Sequence, residues 1–433
     1  MFVKICVMLL SVLTSAMTLF NPMPEIEPMQ VQQDADFVPV LRFVVSSDSH
    51  VEKFGDDGCV KIAKMLKTGY AAAEADENYN KLDAAVMVGD ISDFGLPTAF
   101  ASIKAFVDSV LRDETDFLAV AAKNHDSYLG RISRCYISGI SGDTADFHKV
   151  INGFHFIGLS ASADIFVHYS KQQIKWLDEQ LAAAVKDDPS KPVFVFQHEH
   201  IKSTVYGSLE EDGWGVDFLT ETLSKYPQVI DISGHSHYPA NDPRSIWQGE
   251  FTAIGDGGLS YYEFTFDGQT SYHPESGDTM AHMLLVEVDG ANCVKVRVCD
   301  MSANAVLAEY MVDNVAEVNK TKYAHTERKA AAKAPVFNGN VDVRVSGSDV
   351  KFTFTPATPG ADDVVFIYRF EIIAENGQTV AAGRKIGDYY KNPVPSDIIF
   401  TSSGLEEGNY TVKITAADAW GKVSAPLTAE FAI

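Results

Sequence analysis

Five short clusters of Asp, His and Asn stand out in this chain, and each comes directly after an apolar run typical of a buried strand. Open α/β sheets place their ligand sites beyond the carboxyl ends of their strands. We therefore expect the five clusters to meet. They are Asp48-Ser49-His50 after 41–46, Gly89-Asp90 after 84–88, Asn124-His125-Asp126 after 117–121, His198 with His200 after 192–196, and Gly234-His235-Ser236-His237 after 229–232.

The residue types in these clusters predict metal binding. Imidazole, carboxylate and amide groups without a thiolate suit divalent manganese, iron or zinc. One ion needs three or four protein ligands, whereas seven candidates converge here, so we predict two divalent ions with the Asp90 carboxylate bridging them. Two ions about 4 Å apart can turn water into a nucleophile at neutral pH and stabilise negative charge on phosphorus.

The elements around these clusters alternate between strand-like and helix-like segments, which predicts an α/β domain. Apolar patterning changes after about residue 280, where 283–288 and 293–298 flank a hairpin turn. The charged, Ala-rich segment 314–334 is interpreted as a linker. Short alternating strands then predict a small β-sandwich over 335–433. The predicted helices of the first part are 60–75, 97–111, 170–185 and 216–225.

The length and charge of the chain limit its function. A chain of 433 residues predicts two or three domains, and a net charge of −24 argues against nucleic-acid binding through a basic surface. An anionic substrate would need local positive charge, which metal ions supply. No segment is long and apolar enough to predict a transmembrane anchor.

The N-terminus has the pattern of a targeting signal. Lys4, the apolar run 5–13 and the small residues before position 17 predict a signal peptide over 1–16, followed by a leader over 17–40. The protein is therefore expected to be secreted or lumenal. The spacing of the remaining cysteines leaves their pairing open; they are Cys59, Cys135, Cys293 and Cys299.

The order of the five clusters resembles that of the calcineurin-like metallophosphoesterases over roughly residues 41–300. The resemblance implies an α/β/β/α sandwich for a catalytic domain over 41–313. It also implies that Asp90 is shared by two metal ions, that His125 acts as general acid or transition-state stabiliser, and that Asp126 orients His125. By the same likeness, Asp48, His50 and His237 would hold one ion, and Asn124, His198 and His235 the other.

Several details around this resemblance give further expectations. Family members usually have Gly where this chain has Lys123, so the turn must accommodate a side chain. Purple acid phosphatases carry Tyr where this chain has Asp93, so no coloured ferric form is expected. His200 points to the same side of an extended chain as His198, so it is the alternative ligand. Otherwise it is a candidate contact to the substrate or to the residues that support the ligands. Arg244 is a candidate for binding a phosphate oxygen, or for a surface salt bridge.

A strand motif near the C-terminus resembles that of a known β-sandwich class, which matters for the choice between two functions. Leu405, Gly408, Tyr410 and Val412 resemble the tyrosine-corner strand of fibronectin type III domains. The leading hypothesis is a secreted metal-dependent phosphoesterase that hydrolyses a mono- or diester with a metal-activated hydroxide. The alternative is a secreted binding or adhesion protein whose β-sandwich contacts a surface or glycan. A single-zinc peptidase is disfavoured because the chain has no His-Glu-x-x-His sequence.

Overall fold

The chain divides into two units, which the computed structural model describes for residues 2–21, 23–142, 144–164, 166–209, 211–274, 277 and 279–433. One unit comprises Met1–Asn241 with Ser245–Ala324, and the other comprises Asp242–Arg244 with His325–Ile433. The predicted α/β class, with a β-rich C-terminal part, is confirmed.

The first unit contains fourteen strands and six helices among the described residues. The strands are β1 (Pro39–Ser46), β2 (Ala84–Val88), β3 (Asp116–Val120), β4 (Phe147–Ile151), β5 (Phe154–Gly158), β6 (Val193–Phe196), β7 (Val229–Ser233), β8 (Ile246–Gln248), β9 (Thr252–Gly255), β10 (Phe264–Phe266), β11 (Gln269–Tyr272), β12 (His282–Asp289), β13 (Val294–Asp300) and β14 (Ala305–Val312). The helices are α1 (Phe2–Phe20), α2 (Asp57–Glu74), α3 (Pro97–Asp108), α4 (Arg131–Ser141), α5 (Lys171–Asp187) and α6 (Thr220–Leu223).

Two six-stranded sheets form the centre of this unit. One has the order β14-β13-β12-β1-β2-β3 and the other the order β4-β5-β6-β7-β9-β8. Strands β1, β2 and β3 are parallel, as are β5, β6, β7 and β9. Parallel strands end at the same edge, so each sheet gathers its strand-end residues on one side.

The sheets are packed face to face and covered by helices. Phe43 of β1 lies edge-on to Phe156 and Phe194 of the other sheet, at centroid distances of 4.9 and 4.8 Å. One core joins these inner faces, a second joins β1 and β2 to helices α1 to α4, and a third joins β5 and β6 to α5. The layers therefore run helix, sheet, sheet, helix. In this arrangement, both sets of parallel strands can contribute residues at their carboxyl ends to one site.

Local sequence explains where the helices begin. Asp56 caps α2 by accepting a hydrogen bond from the backbone nitrogen of Cys59, and Pro97 stands in the first turn of α3. Ser170 and Gln173 form a capping box at α5. The predicted helix over 216–225 is shorter than expected, because only Thr220–Leu223 is helical.

The predicted signal and leader form part of the first unit's packing. Helix α1 buries Cys6 and Leu10 in the core that α3 and α4 share. Met29 is also buried, and its backbone nitrogen donates a hydrogen bond to the Thr68 hydroxyl at 3.0 Å. Within the described residues, no helix has the length and apolar character needed to cross a bilayer. Cleavage and secretion remain predictions.

All five cysteines are free thiols. The question that the spacing left open is thereby answered for this structure, because neither Cys59 nor Cys135 nor the pair Cys293 and Cys299 forms a disulfide.

The second unit is an antiparallel β-sandwich. Its strands are β15 (Asp342–Ser346), β16 (Asp349–Phe354), β17 (Val365–Ala374), β18 (Thr379–Ile386), β19 (Ile398–Ser402), β20 (Asn409–Asp418) and β21 (Leu427–Ala432), with helix α7 (His325–Ala331) inside the predicted linker. The sheet orders are β15-β16-β19 and β18-β17-β20-β21. The Tyr410 hydroxyl donates to the carbonyl oxygen of Glu406 at 2.9 Å, which is the contact of a tyrosine corner. Membership of the fibronectin type III class stays a prediction.

Candidate metal centre

The five clusters occupy the ends of five parallel strands. Asp48 and His50 follow β1, Asp90 follows β2, and Asn124 follows β3. From the other sheet, His198 follows β6, and His235 with His237 follows β7. The seven predicted ligands therefore come from both sheets, whose strand ends face a common space.

One group of atoms contains the side chains of Asp48, His50 and His237. The Asp48 Oδ1 atom lies 3.3 Å from His237 Nε2 and 3.9 Å from His50 Nε2. The two Nε2 atoms are themselves 3.3 Å apart. Three ligand atoms so close together, one of them a carboxylate oxygen, form a suitable cage for a divalent cation.

A second group contains Asp90, His198 and His235, whose ligand atoms lie within 4.8 Å of one another. The Asp90 Oδ2 atom is 3.1 Å from His198 Nε2 and accepts a hydrogen bond of 3.1 Å from the amide of Asn124. The two groups adjoin, because His198 Nε2 lies 3.9 Å from Asp48 Oδ1. Asp90 also forms a group with His50 and His125, so its carboxylate lies close to ligand atoms of both groups.

Buried polar atoms in these groups lack hydrogen-bond partners among the described residues. Buried polar groups in folded proteins are nearly always paired, so a cluster of unpaired ones indicates a missing ligand. A metal ion would satisfy oxygen and nitrogen atoms of this kind together. The atoms are Asp48 Oδ1, Asp90 Oδ1, Asn124 Oδ1, His235 Nδ1 and His198 Nε2, the last of which lies 3.1 Å from Asp90 Oδ2 without the geometry of a hydrogen bond.

The backbone at these residues is strained. Positive φ angles are uncommon in residues other than glycine, and they concentrate at functional sites. Five of the seven candidate ligands have one. The angles are 52° at Asp48, 44° at His50, 46° at Asp90, 74° at His235 and 57° at His237.

Two glycines allow the ligands to approach one another. A Cβ atom on Gly89, which has a φ of +87°, would lie 2.6 Å from His198 Nδ1. A Cβ on Gly234 would lie 2.1 Å from the Ser47 hydroxyl oxygen and 2.5 Å from Asp48 Oδ2. Glycine precedes Asp90 and His235 because no side chain fits at either position.

Three of the four candidate imidazoles, those of His50, His198 and His237, have a polar contact at Nδ1. The His198 Nδ1 atom donates to the Val88 carbonyl oxygen at 2.8 Å, and His50 Nδ1 donates to Asp93 Oδ1 at 3.1 Å. The His237 Nδ1 atom lies 3.2 Å from the Ser260 hydroxyl. Such contacts fix the ring so that its other nitrogen faces the metal position.

The charge states fit metal binding. Burial lowers the pKa of His237 to about 4 and also lowers that of His235, so both imidazoles are neutral, as ligands must be. Burial alone would raise the pKa of Asp90, but the neighbouring His198 outweighs it and the pKa falls. Burial likewise opposes charge on His198, yet Asp90 and Asp48 raise its pKa well above the ordinary value. A positive charge is therefore favoured between these carboxylates.

The comparisons with known proteins are limited to part of the chain. Over 168 residues it is 29% identical to a protein named "Probable cyclic nucleotide phosphodiesterase" from Rhodococcus erythropolis strain PR4, a match that covers 36% of this chain and 52% of that protein. The chain thus spans about half the length of this relative. No protein-family model matches.

Solved structures resemble a smaller part. "Myokine structure" is 18% identical and covers 23% of this chain and 96% of its own, with a TM-score of 0.17. The twitchin kinase region from C. elegans is 18% identical over 24% of this chain and 17% of its own, with a TM-score of 0.18. TM-scores this low support no conclusion about fold or function.

His125 lies beside the cluster with its ring partly exposed. Its side chain is 30% exposed, and its ring meets that of His50 edge-on at 4.5 Å. The His125 Nδ1 atom is 2.8 Å from the backbone oxygen of Asp93 and 3.1 Å from Asp93 Oδ1. A ring nitrogen of His125 also lies within 4.8 Å of ligand atoms of His50 and Asp90, so the ring stands at the edge of the candidate metal centre.

The predicted role of Asp126 requires correction. Its buried carboxylate accepts hydrogen bonds from the backbone nitrogens of Ser92 at 2.9 Å and Ala122 at 3.1 Å, so it holds the loops together and does not orient His125. Asp93 has that role, and it binds His50 as well. The Gly-Asp-x-x-Asp spacing from Asp90 to Asp93 was the signal in the sequence.

His200 is placed away from the expected substrate position. It is 1% exposed, and its two ring nitrogens lie 2.8 Å from the hydroxyls of Ser233 and Ser236. Burial lowers its pKa to about 3. His200 thus supports the loop that carries His235, and His198 is the histidine that joins the cluster.

The remaining expectations concern Arg244 and Lys123. Arg244 belongs to the second unit, where its Nε and Nη2 atoms each lie 2.8 Å from the Asp242 carboxylate and its guanidinium lies over the ring of Phe366. Of the two alternatives for Arg244, a phosphate contact or a salt bridge, these contacts fit the salt bridge. Lys123 is not among the described residues with a positive φ angle, so the turn accommodates its side chain without backbone strain.

Proposed function

We propose that the chain is a metal-dependent phosphoesterase that hydrolyses a phosphate mono- or diester. The observation that carries the proposal is the convergence of seven oxygen and nitrogen ligands, several unpaired and strained, at the ends of strands from two sheets. The partial similarity to a protein named as a cyclic nucleotide phosphodiesterase supports the same reaction class.

The residues divide into those that would hold metal and those that would move protons. Two bound divalent ions would make water nucleophilic and compensate charge on the phosphate. Asp90 lies between the two ligand groups and is the candidate bridge. The first group would be Asp48, His50 and His237, and the second Asn124, His198 and His235.

His125 would supply the proton that the leaving oxygen needs. Its Nδ1 atom is fixed by Asp93, and its exposed ring can reach a bound ester. General acid catalysis by a histidine placed in this way contributes roughly 10²- to 10⁴-fold to the rate.

Metal analysis and paired assays test this function. The purified chain should bind divalent manganese, iron or zinc and hydrolyse p-nitrophenyl phosphate or its diester. Asp90→Ala and His237→Ala should lose both metal and activity, whereas His148→Ala, whose ring contacts Gln180 and His155, should lose neither. An active protein without metal would refute the proposal.

We further propose that the protein enters a secretory route. The pattern of Lys4 and the apolar run 5–13 supports a signal peptide over 1–16, although the structure packs Cys6 and Leu10 into a core. Mass spectrometry of the protein isolated from its source should show the loss of these residues. An intact N-terminus would contradict it.

The C-terminal β-sandwich is the candidate for contact with a surface or glycan. A chain ending at Ala324, the limit of the first unit, should keep its hydrolysis rate and lose binding to cell walls or glycan arrays. Binding that survives the truncation would remove this role.

A further inference from the structure

Tyr261 stands beside the candidate metal centre in a fixed position. Its ring is stacked on that of His237 at a centroid distance of 4.0 Å and an angle of 11°, and it lies 6.0 Å from the ring of His50. Backbone hydrogen bonds secure the segment on both sides, from Leu259 to the Ser47 oxygen at 3.1 Å and from Glu263 to the His237 oxygen at 3.0 Å. Tyr261 therefore has a defined place at the edge of the centre.

The hydroxyl of Tyr261 is an unused donor. It has no hydrogen-bond partner within the part of the chain that the structure describes. A tyrosine hydroxyl is an ordinary hydrogen-bond donor at neutral pH, so it can donate to a ligand.

A cleft of about 330 Å³ opens next to this residue. His50, Ser260 and Tyr261 line it together with residues at the start of α2. Of its two lysines, Lys61 is already bound, since its Nζ atom donates to the carbonyl oxygens of Leu259 at 2.7 Å and Met280 at 2.8 Å. The cleft therefore continues from the metal centre into a space large enough for an organic group.

The second lysine, Lys53, is exposed and follows an exposed carboxylate, Glu52. Asp56 and Asp57 also line the cleft, so its three carboxylates outnumber its two ammonium groups and do not favour a second anionic group. A neutral group attached to the phosphate fits its lining better than another phosphate does.

Charge around the reacting position also limits the substrate. No Lys or Arg side chain of the described residues bonds to His125 or to any of the seven candidate ligands, whose charged neighbours are Asp and His. The carboxylates of Asp48, Asp90 and Asp93 all lie there. A dianionic monoester would meet these carboxylates without a cationic side chain of its own, whereas a diester carries one charge fewer.

We propose that the centre acts on phosphodiesters in preference to monoesters, and that Tyr261 donates a hydrogen bond to the esterified group that occupies the cleft. Water adds to phosphorus and one phosphorus–oxygen ester bond breaks. The alcohol leaves with one proton, and the monoester product keeps the other organic group. This inference rests on the proposed function.

Chromogenic esters and a conservative variant test the inference on the metal-loaded full chain. The kcat/KM for bis(p-nitrophenyl) phosphate should exceed that for p-nitrophenyl phosphate about tenfold. Tyr261→Phe keeps the ring on His237 and removes the hydroxyl, so KM for the diester should rise roughly 3- to 10-fold, as expected for one lost hydrogen bond. Its metal content should not change. Tyr226→Phe, whose hydroxyl binds Asp178, is the matched control and should behave as wild type.

Calorimetry gives a measurement that does not depend on turnover. Diethyl phosphate, an inert diester, should bind the metal-loaded chain more tightly than inorganic phosphate does, and Tyr261→Phe should weaken it by the same factor as the KM.

The outcomes separate this inference from the proposed function. Hydrolysis that favours the monoester, or unaltered diester binding in Tyr261→Phe, would overturn the inference and leave the phosphoesterase intact. A chain that hydrolyses no ester with any metal would overturn both.

Discussion

Replacing Gly89 by alanine should damage the metal centre far more than the fold. Gly89 has a φ of +87°, a conformation that costs a residue with a side chain about 1–2 kcal/mol. Its new Cβ would also lie 2.6 to 2.8 Å from three atoms of His198. Overpacking of this kind adds about 1–3 kcal/mol, unless the imidazole moves.

Movement of the His198 ring relieves the clash at the expense of metal binding. The ring is fixed by its 2.8 Å hydrogen bond to the Val88 carbonyl oxygen, which a shift would break. Loss of such an outer contact weakens metal binding roughly 10- to 100-fold, and displacement of the ligand itself should cost at least as much. Metal titration of the purified variant measures this directly.

Gly421→Ala is the matched control. Gly421 has a φ of +83°, and a Cβ there would meet nothing within 4 Å. Both variants share the backbone penalty, and only Gly89→Ala adds contact with His198. Urea unfolding and metal affinity should be measured for both. Equal destabilisation with metal affinity unchanged in Gly89→Ala would refute the reasoning that glycine is required for the ligand geometry.

Three further predictions follow from contacts in the first unit. His125→Ala should retain metal and reduce kcat roughly 10²- to 10⁴-fold; normal kcat would exclude it from the chemistry. Asp93→Ala removes an acceptor from both His50 and His125, so metal affinity should fall roughly 10- to 100-fold and kcat should fall even at saturating metal, unlike in His125→Ala. Burial raises the pKa of Asp231 to about 8. The folded state therefore keeps a proton that the unfolded state loses above about pH 4, and stability should fall by up to about 1.4 kcal/mol per pH unit between these values. Urea unfolding of Asp231→Asn should lack this slope; parallel pH profiles would contradict it.

The convergence of the candidate ligands could be predicted because it depends on where the strands end. A parallel strand is recognisable as a short apolar run, and its carboxyl end fixes where the next polar residue lies. Asp48 and His235 are separated by nearly two hundred residues, yet each comes within two residues of a strand end. The prediction that the clusters meet therefore did not require the conformations of the loops.

The errors all depend on loop geometry. His200 was expected on the same side as His198 because alternate residues of an extended chain share a face. The chain bends at His198 and Glu199, however, so His200 faces the hydroxyls of Ser233 and Ser236. Asp126 was assigned to its neighbour His125, but the loop turns its carboxylate towards backbone nitrogens of another strand end.

Backbone strain and unpaired buried atoms both cost free energy, and they occur together at the same residues. This coincidence argues for a bound cation. Positive φ angles at non-glycine residues cost about 1–3 kcal/mol each, and unpaired buried polar atoms cost about 1–3 kcal/mol each. Asp48, Asp90 and His235 carry both. No Lys or Arg side chain of the described residues compensates, because the groups that form ion pairs with these carboxylates are imidazoles of the same cluster. A divalent ion bound by these atoms would pair them at once and hold the strained turns in place, and its binding would offset both costs.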